Sequence, residues 1–280
     1  MSGNQPVFRW QMNAGGPETY ERIMVPVWMA DWVDDLLVAG KVGPGTRVLD
    51  AACGTGIVAR RAAGITGPGG RVAALDLNEG MLRVAQRCAQ DEGITGIGWY
   101  KSDIARMPFP DGQFDTVLCQ QGLQFFPDKP AALREMARVL APGGRLAVSV
   151  WGRAEMSPHV PVICNVFKQY FGEESTAMFR VACSLCDPAH LHDLAEGAGF
   201  TGIRIQAGIK IARHPSLADF LPQYFSIFPI AEKIGAMPEE ERNAMFCSIV
   251  EGLLPYTKDN GLAVPTEGII MAAEKESSLS

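Results

Sequence analysis

The sequence predicts an α/β fold on a parallel sheet, and three observations carry that reading. From Arg47 to Trp151 short apolar runs alternate with helical patterns, the rhythm of strands joined by right-handed crossover helices. The first run holds Asp50 near its end and leads into a glycine loop, Cys53-Gly54-Thr55-Gly56, before a helix begins at Ile57. After Trp151 the rhythm breaks into aromatic-rich helical segments, which read as insertions laid over the sheet.

Tyr20 to Ala39 reads as helix, with Pro26 placing a break near Val25. Trp28, Trp32 and Leu36 recur at helical spacing, a stripe expected to pack on the sheet, and Gly40 supplies the stop. Strands are expected at 47–52, 71–77, 97–102, 114–119 and 145–151. Between them lie helices at 57–63, at 79–91 with Asn78 as N-cap, and at 129–140, the last ended by Pro142-Gly143-Gly144. Further helices are expected at 160–171, 174–183, 188–198 with Asp187 as cap, 216–228 and 238–253. Ile203, Ile205, Ala207, Ile209 and Ile211 alternate, so 201–212 reads as a strand, and 266–274 as the last one.

Composition narrows the classes of function. A net charge of -6 and the absence of a Lys/Arg run argue against a nucleic-acid surface. Apolar stretches are interrupted by Pro, Gly or charge, so no membrane span is expected. Met1 to Tyr20 lacks the apolar centre of a signal peptide, and seven cysteines then read as thiols of a cytoplasmic protein. Cys183-Ser184-Leu185-Cys186, followed by His190 and His192, is too tightly spaced for the usual zinc patterns, so no metal is expected and the cysteines read as half-buried helix residues.

The glycine loop admits two chemistries. Gly54 to Ala59 fits the dinucleotide pattern G-x-G-x-x-A, and Asp76 stands 20 residues beyond Gly56, where a ribose-binding carboxylate belongs. Asp50 discriminates: immediately before the loop, a carboxylate would repel a pyrophosphate and suit a cationic ligand. The stretch Val48 to Gly56 resembles the first motif of class I S-adenosylmethionine-dependent methyltransferases. With Ala52 in place of the first glycine, it is similar to the ubiquinone/menaquinone-biosynthesis branch. Met107-Pro108-Phe109-Pro110-Asp111-Gly112-Gln113-Phe114-Asp115, and Leu140-Ala141-Pro142-Gly143-Gly144 later, extend the resemblance.

That resemblance implies a Rossmann-like seven-stranded methyltransferase sheet, in the order 3-2-1-4-5-7-6 with the last strand antiparallel, and helical lid insertions. It implies S-adenosyl-L-methionine as cofactor, held by Tyr20, Asp50, Ala52, Gly54, Thr55, Gly56, Asp76, Leu77, Met81, Asp103, Ile104 and Gln120. In those roles Asp76 accepts from the ribose hydroxyls and Asp103 from the adenine amino group. Ile104 offers its backbone N–H to the ring, Gln120 its carbonyl to the ammonium, and Tyr20 covers the methionine end. The chain then divides into an N-terminal arm and helix over the site (1–40), a cofactor-binding core (41–151), a helical lid insertion (152–186) and C-terminal core strands (187–280) carrying a second insertion at about 214–256.

The expected reaction is methyl transfer to a small, largely apolar or aromatic metabolite at carbon, oxygen or nitrogen. Two alternatives remain: a non-methylating reaction that uses the same cofactor, and a silent cofactor-binding partner. Cys119-Gln120-Gln121-Gly122 departs from the N/D-P-P-Y of enzymes that methylate adenine or glutamine amides. No catalytic residue is identified; His159 and His214 are candidate bases, each with a packing role as its plain alternative, and Gln124 either faces the methyl group or bonds backbone. The arm before Tyr20 is expected to order over the cofactor, with Trp10 or Tyr20 as anchor.

Overall fold

Strand β1 (Arg47–Ala51) is buried from Val48 onward, and a strand buried on both faces needs neighbours on both sides. It pairs in parallel with β2 (Arg71–Asp76) on one side and β4 (Phe114–Gln120) on the other. β3 (Ile97–Lys101) lies parallel outside β2, and β5 (Leu140–Trp151) parallel beyond β4. The C-terminal strand β8 (Gly261–Lys275) inserts antiparallel between β5 and β6 (Phe200–His214). A two-residue strand, β7 (Thr257–Lys258), pairs with the start of β8. The resulting order 3-2-1-4-5-8-6 is the expected one with β7 added, so the C-terminal strand takes the number eight. The structure, a computed structural model, describes residues 15–259 and 261–277. The expectation for the arm and Trp10 lies outside the described residues.

The chain enters through α1 (Gly16–Thr19), a helix of π type over Tyr20–Met29, and α2 (Ala30–Ala39). Here the structure corrects the expected break at Val25. Pro26 sits inside a widened helix, in which the Ala30 N–H donates to the Val25 carbonyl five residues back. A proline ring clashes with the carbonyl four residues earlier in an α-helix, and the wider turn relieves that contact. α2 lies with α3 (Ile57–Thr66) and α4 (Glu79–Asp91) against one sheet face, where Val33, Leu36 and Val58 share a core with Val48 and Ala74. Asn78 caps α4 as expected, its Oδ1 accepting from the N–H groups of Gly80 and Met81. The opposite face carries α5 (Lys129–Val139), ahead of the inserted helices.

Past β5 come α6 (His159–Phe171), α7 (Ala177–Ala182) and α8 (Pro188–Glu196). Past β6 come α9 (Leu217–Ser226), the unexpected short helix α10 (Ile230–Gly235), and α11 (Glu239–Leu253). α8 covers the sheet beside α5, with Leu191 fully buried there. α6, α9 and α11 instead build a separate apolar cluster with the π helix, in which Ile23, Trp28, Phe167, Phe220, Phe225 and Ile249 meet. β5 starts at Leu140 rather than Arg145, because Leu140 pairs with Phe114 and the Pro-Gly-Gly run is absorbed as a register shift.

Candidate active site

The site grows from the turn between β1 and α3. Asp76, at the end of β2, accepts the Gly54 N–H at Oδ2 and the Asn78 N–H at Oδ1, each at 2.8 Å. Burial raises its pKa, and the backbone donors pull the other way. Gly54 has φ +54°, and a Cβ built there would find nothing nearer than the Tyr20 ring at 4.0 Å. The missing side chain is therefore open space, a cradle that a ligand can enter. Ala52, one of the few non-glycine residues in the left-handed region, carries φ +58° in the same turn.

Asp50 is 1% exposed and accepts the Ala59 N–H from the first turn of α3 at 2.9 Å. Burial pushes its pKa up to about 7, the Ala59 bond opposing and Asp76 reinforcing that rise. Arg60, also on α3, donates to the Thr55 carbonyl at 2.5 Å and pairs with Glu21 of the π helix at 2.6 Å. This buried guanidinium ties the glycine loop to the segment that carries Tyr20. Burial as the larger cause, then the nearby Asp76 charge, raises the pKa of the Tyr20 hydroxyl.

A cavity of about 730 Å³ opens above this turn and runs over the carboxyl ends of the strands. Nine of the expected cofactor residues line it: Tyr20, Ala52, Gly54, Asp76, Leu77, Met81, Asp103, Ile104 and Gln120. Leu77 is 68% exposed at the rim, while Ile104 and Met81 are buried floor. Asp103 is exposed and folds into a local turn by accepting the Ala105 N–H at 2.9 Å. The Gln120 side chain donates to the Met29 carbonyl at 2.8 Å, joining β4 to the π helix.

Three expected residues stand elsewhere. Asp50 and Thr55 border a small adjoining void instead. Gly56 lines neither space: its φ is +82° and a Cβ would lie 2.9 Å from the Trp99 ring, so it serves close packing of α3. His214 is likewise not on the cavity wall; its ring lies 5.1 Å from that of Phe220 and Nδ1 is 2.8 Å from the Ser216 carbonyl oxygen. Gln124 is buried behind the wall and donates to Gln121 Oε1 at 3.2 Å, so it bonds a side chain rather than backbone or the cavity.

Beyond the glycine loop the cavity is walled by Met24, Phe125, Met178, Phe179, Tyr224 and Phe228. Polar groups interrupt that apolar wall at Trp28, Gln121, His159 and Thr266, and each of the four holds a buried nitrogen or oxygen with no hydrogen-bond partner. His159 stacks on Trp28 with ring centroids 4.4 Å apart, and burial lowers its pKa to about 3. Trp28 thus leaves the expected sheet-packing stripe, whereas Trp32 keeps to it against Gly268. Sequence reasoning also missed Thr266 and Gln121. A threonine in an apolar strand was a weak signal, and only the chain path brings it to the cavity.

Cys183 and Cys186 are half-buried as expected, in the turn after α7 rather than in a helix, and Cys183 touches the cavity. Among the described residues, the grouping with metal-ligand spacing is His192, Asp193 and Glu196 on α8, which excludes both cysteines.

Residues 49–148 match the family model described as a methyltransferase domain. The ubiquinone/menaquinone biosynthesis C-methyltransferase UbiE of Ectopseudomonas mendocina is 42% identical over 130 residues, 46% of this chain and 49% of that protein. The chain thus spans about half the length of the curated relatives it matches. Among solved structures, a Haemonchus contortus phosphoethanolamine N-methyltransferase 2 in complex with S-adenosyl-L-methionine superposes with TM-score 0.58 at 20% identity, over 95% of this chain and 58% of that one. The [4+2]-cyclase SpnF superposes with TM-score 0.53 at 20% identity, over 89% and 82%. Residues 49–148 are thus similar to methyltransferase domains, and in sequence to the corresponding part of the ubiquinone/menaquinone C-methyltransferases.

Proposed function

We propose that the chain binds S-adenosyl-L-methionine over the β1–α3 turn and transfers its methyl group to a small, largely apolar or aromatic acceptor. One observation carries the reading: a single cavity joins a strand-end carboxylate beside an open glycine cradle to an apolar chamber under inserted helices. The residues present fit the cofactor. Asp76 is held by two backbone donors with lone pairs to spare for ribose hydroxyls, and Leu77 and Ile104 offer apolar surface to a base.

When bound, the cofactor supplies a methyl group already activated on a sulfonium. The chain's own part is to bind, align and keep out water. Tyr20 lies over Gly54, and the carboxylates of Asp50 and Asp76 favour a cation in their neighbourhood. The inserted helices hold the acceptor in line, and orientation of this kind supplies several kcal/mol of a barrier. The resemblance to the UbiE proteins points to carbon as the acceptor atom and to a quinone precursor as the kind of acceptor. On the same reading, 152–186 and 214–256 form the lid and 1–40 the cover of the cofactor end.

Because SpnF shares the fold and is named a cyclase, the test must separate methyl transfer from other reactions. Cofactor labelled in its methyl group is incubated with the protein and a cell extract, followed by mass spectrometry. A labelled product is expected. An altered but unlabelled product would mean a non-methylating enzyme, and no product at all a binding partner without turnover.

A further inference from the structure

We propose that His159 selects the acceptor: its imidazole, stacked on Trp28, hydrogen-bonds a hydroxyl or carbonyl group of an uncharged, flat acceptor seated in the apolar chamber. The inference deepens the methyl-transfer reading and rests on it for the location of the cofactor.

The argument starts from groups that the fold leaves unpaired. Nδ1 of His159, Nε1 of Trp28, Nε2 of Gln121 and Oγ1 of Thr266 are all buried without a partner. Buried polar atoms are normally hydrogen-bonded, so four orphans around one cavity mark a place where a ligand supplies the partners. His159 begins α6, directly after the loop that leaves β5, and Thr266 lies on the neighbouring β8. Asp76 ends β2 and Asp103 follows β3, on the other side of β1 and β4. His159 and Thr266 are therefore separated by the width of several strands from the carboxylates of the cofactor end.

Charge then restricts the acceptor. Among the described residues, no Lys or Arg lines the cavity, and its carboxylates are Asp76 and Asp103 alone. An acceptor with a phosphate or carboxylate would lie in the apolar chamber without a counter-ion, a costly arrangement. Burial keeps the His159 ring neutral, with its pKa near 3, so it does not provide the missing cation. A neutral imidazole has one donor and one acceptor nitrogen, which suits either a hydroxyl or a carbonyl. The neighbouring indole of Trp28, with Phe179 and Tyr224 also on the wall, offers flat apolar surface to a ring. A site built to hydrogen-bond such a group rejects the analogue that lacks it, because its own polar atoms then stay unpaired.

Naphthol, naphthalene and naphthalene sulfonate, titrated into the full chain with and without S-adenosylhomocysteine, test the proposal. Naphthol is expected to bind most tightly and to shift the ring-nitrogen NMR signals of His159. His159→Leu should weaken naphthol by about tenfold or more while naphthalene changes by less than about twofold. His159→Gln, which keeps a donor and an acceptor, should restore most of the difference. Unchanged affinity for S-adenosylhomocysteine certifies that the variants fold. Equal losses for naphthol and naphthalene, no effect of His159→Leu, or sulfonate binding as tight as naphthol would each overturn the proposal. Failure of the wild-type chain to bind S-adenosylhomocysteine would instead overturn the methyl-transfer reading, and naphthol selectivity in its absence would still decide the role of His159.

Discussion

Three residues around the β1–α3 turn, one of them from the end of β2, carry opposite stresses. Ala52 holds φ +58°, a conformation that costs an L-residue about 1–2 kcal/mol. Ala52→Gly should therefore stabilise the protein by about 1 kcal/mol, read as a higher denaturant midpoint at unchanged slope. Asp50 is stressed by its charge, since burial lifts its pKa from an ordinary 3.8 to about 7. Between those values the folded chain holds a proton that the unfolded chain has lost, so stability is fully present below about pH 4 and falls as pH rises towards 7. Asp50→Asn keeps an acceptor for the Ala59 N–H and should abolish that fall, a gain on the order of 2–4 kcal/mol at pH 7.5. A wild-type and variant pair with parallel pH–stability curves would refute it. Asp76 plays the converse part, because its carboxylate holds the loop through Gly54 and Asn78. Asp76→Ala should weaken S-adenosylhomocysteine by about 1–3 kcal/mol in calorimetry, with a smaller cost in stability. The identity and placement of Asp76 were legible in the sequence because a strand end fixes both. The ionisation of Asp50 was not, since burial depends on everything packed around it.

Among elements, helix α3 and the π helix illustrate how a local pattern meets a neighbour. Gly56 opens α3 with φ +82° and passes under Trp99 of β3, so Gly56→Ala combines backbone strain with a 2.9 Å contact. We expect a loss of at least about 2 kcal/mol in urea unfolding, more than Gly54→Ala, whose Cβ meets open space. The motif was legible in the sequence, yet both glycines looked alike there. Their division into one that packs and one that faces the cavity depends on Trp99, which belongs to another strand. The π helix was misread for a related reason. Proline disfavours an α-helix, and the sequence alone offers a break as the plain outcome, but buried partners on both sides keep this segment helical and wide. Ile23, Val27 and Trp28 are buried there, and Gln120 and Arg60 bind the segment from below.

At the scale of the molecule, the described residues form two apolar clusters on the two faces of the sheet and a third among the π helix and the inserted helices, and the third walls one side of the cavity. Phe225 lies in that last cluster, 1% exposed, its ring 4.8 Å from Phe167 and 5.1 Å from Tyr224 of the cavity wall. Phe225→Ala should cost about 3–5 kcal/mol of stability. Because the cluster packs behind the acceptor chamber, it should also raise acceptor KM by a larger factor than the Kd for S-adenosylhomocysteine. Equal changes in the two constants would show that the inserted helices brace the whole cavity rather than the acceptor end.

By itself the sequence determined the sheet. Alternating apolar runs and caps at Asn78 and Asp187 are local signals, each set within a few residues, and they led to the strands and helices; the strand order and nine residues of the cavity wall came through the family resemblance that the loop from Asp50 to Gly56 carries. Only the tertiary structure decided which polar side chains line that cavity together. His159, Trp28, Gln121 and Thr266 come from four distant parts of the chain, and no periodicity relates them. Their meeting depends on a π-type helix, on the path of the loop after β5 and on the antiparallel insertion of β8. Each of these is fixed by burial against a partner remote in sequence, so the cavity wall beside the glycine loop was readable in advance and the wall around His159 was not.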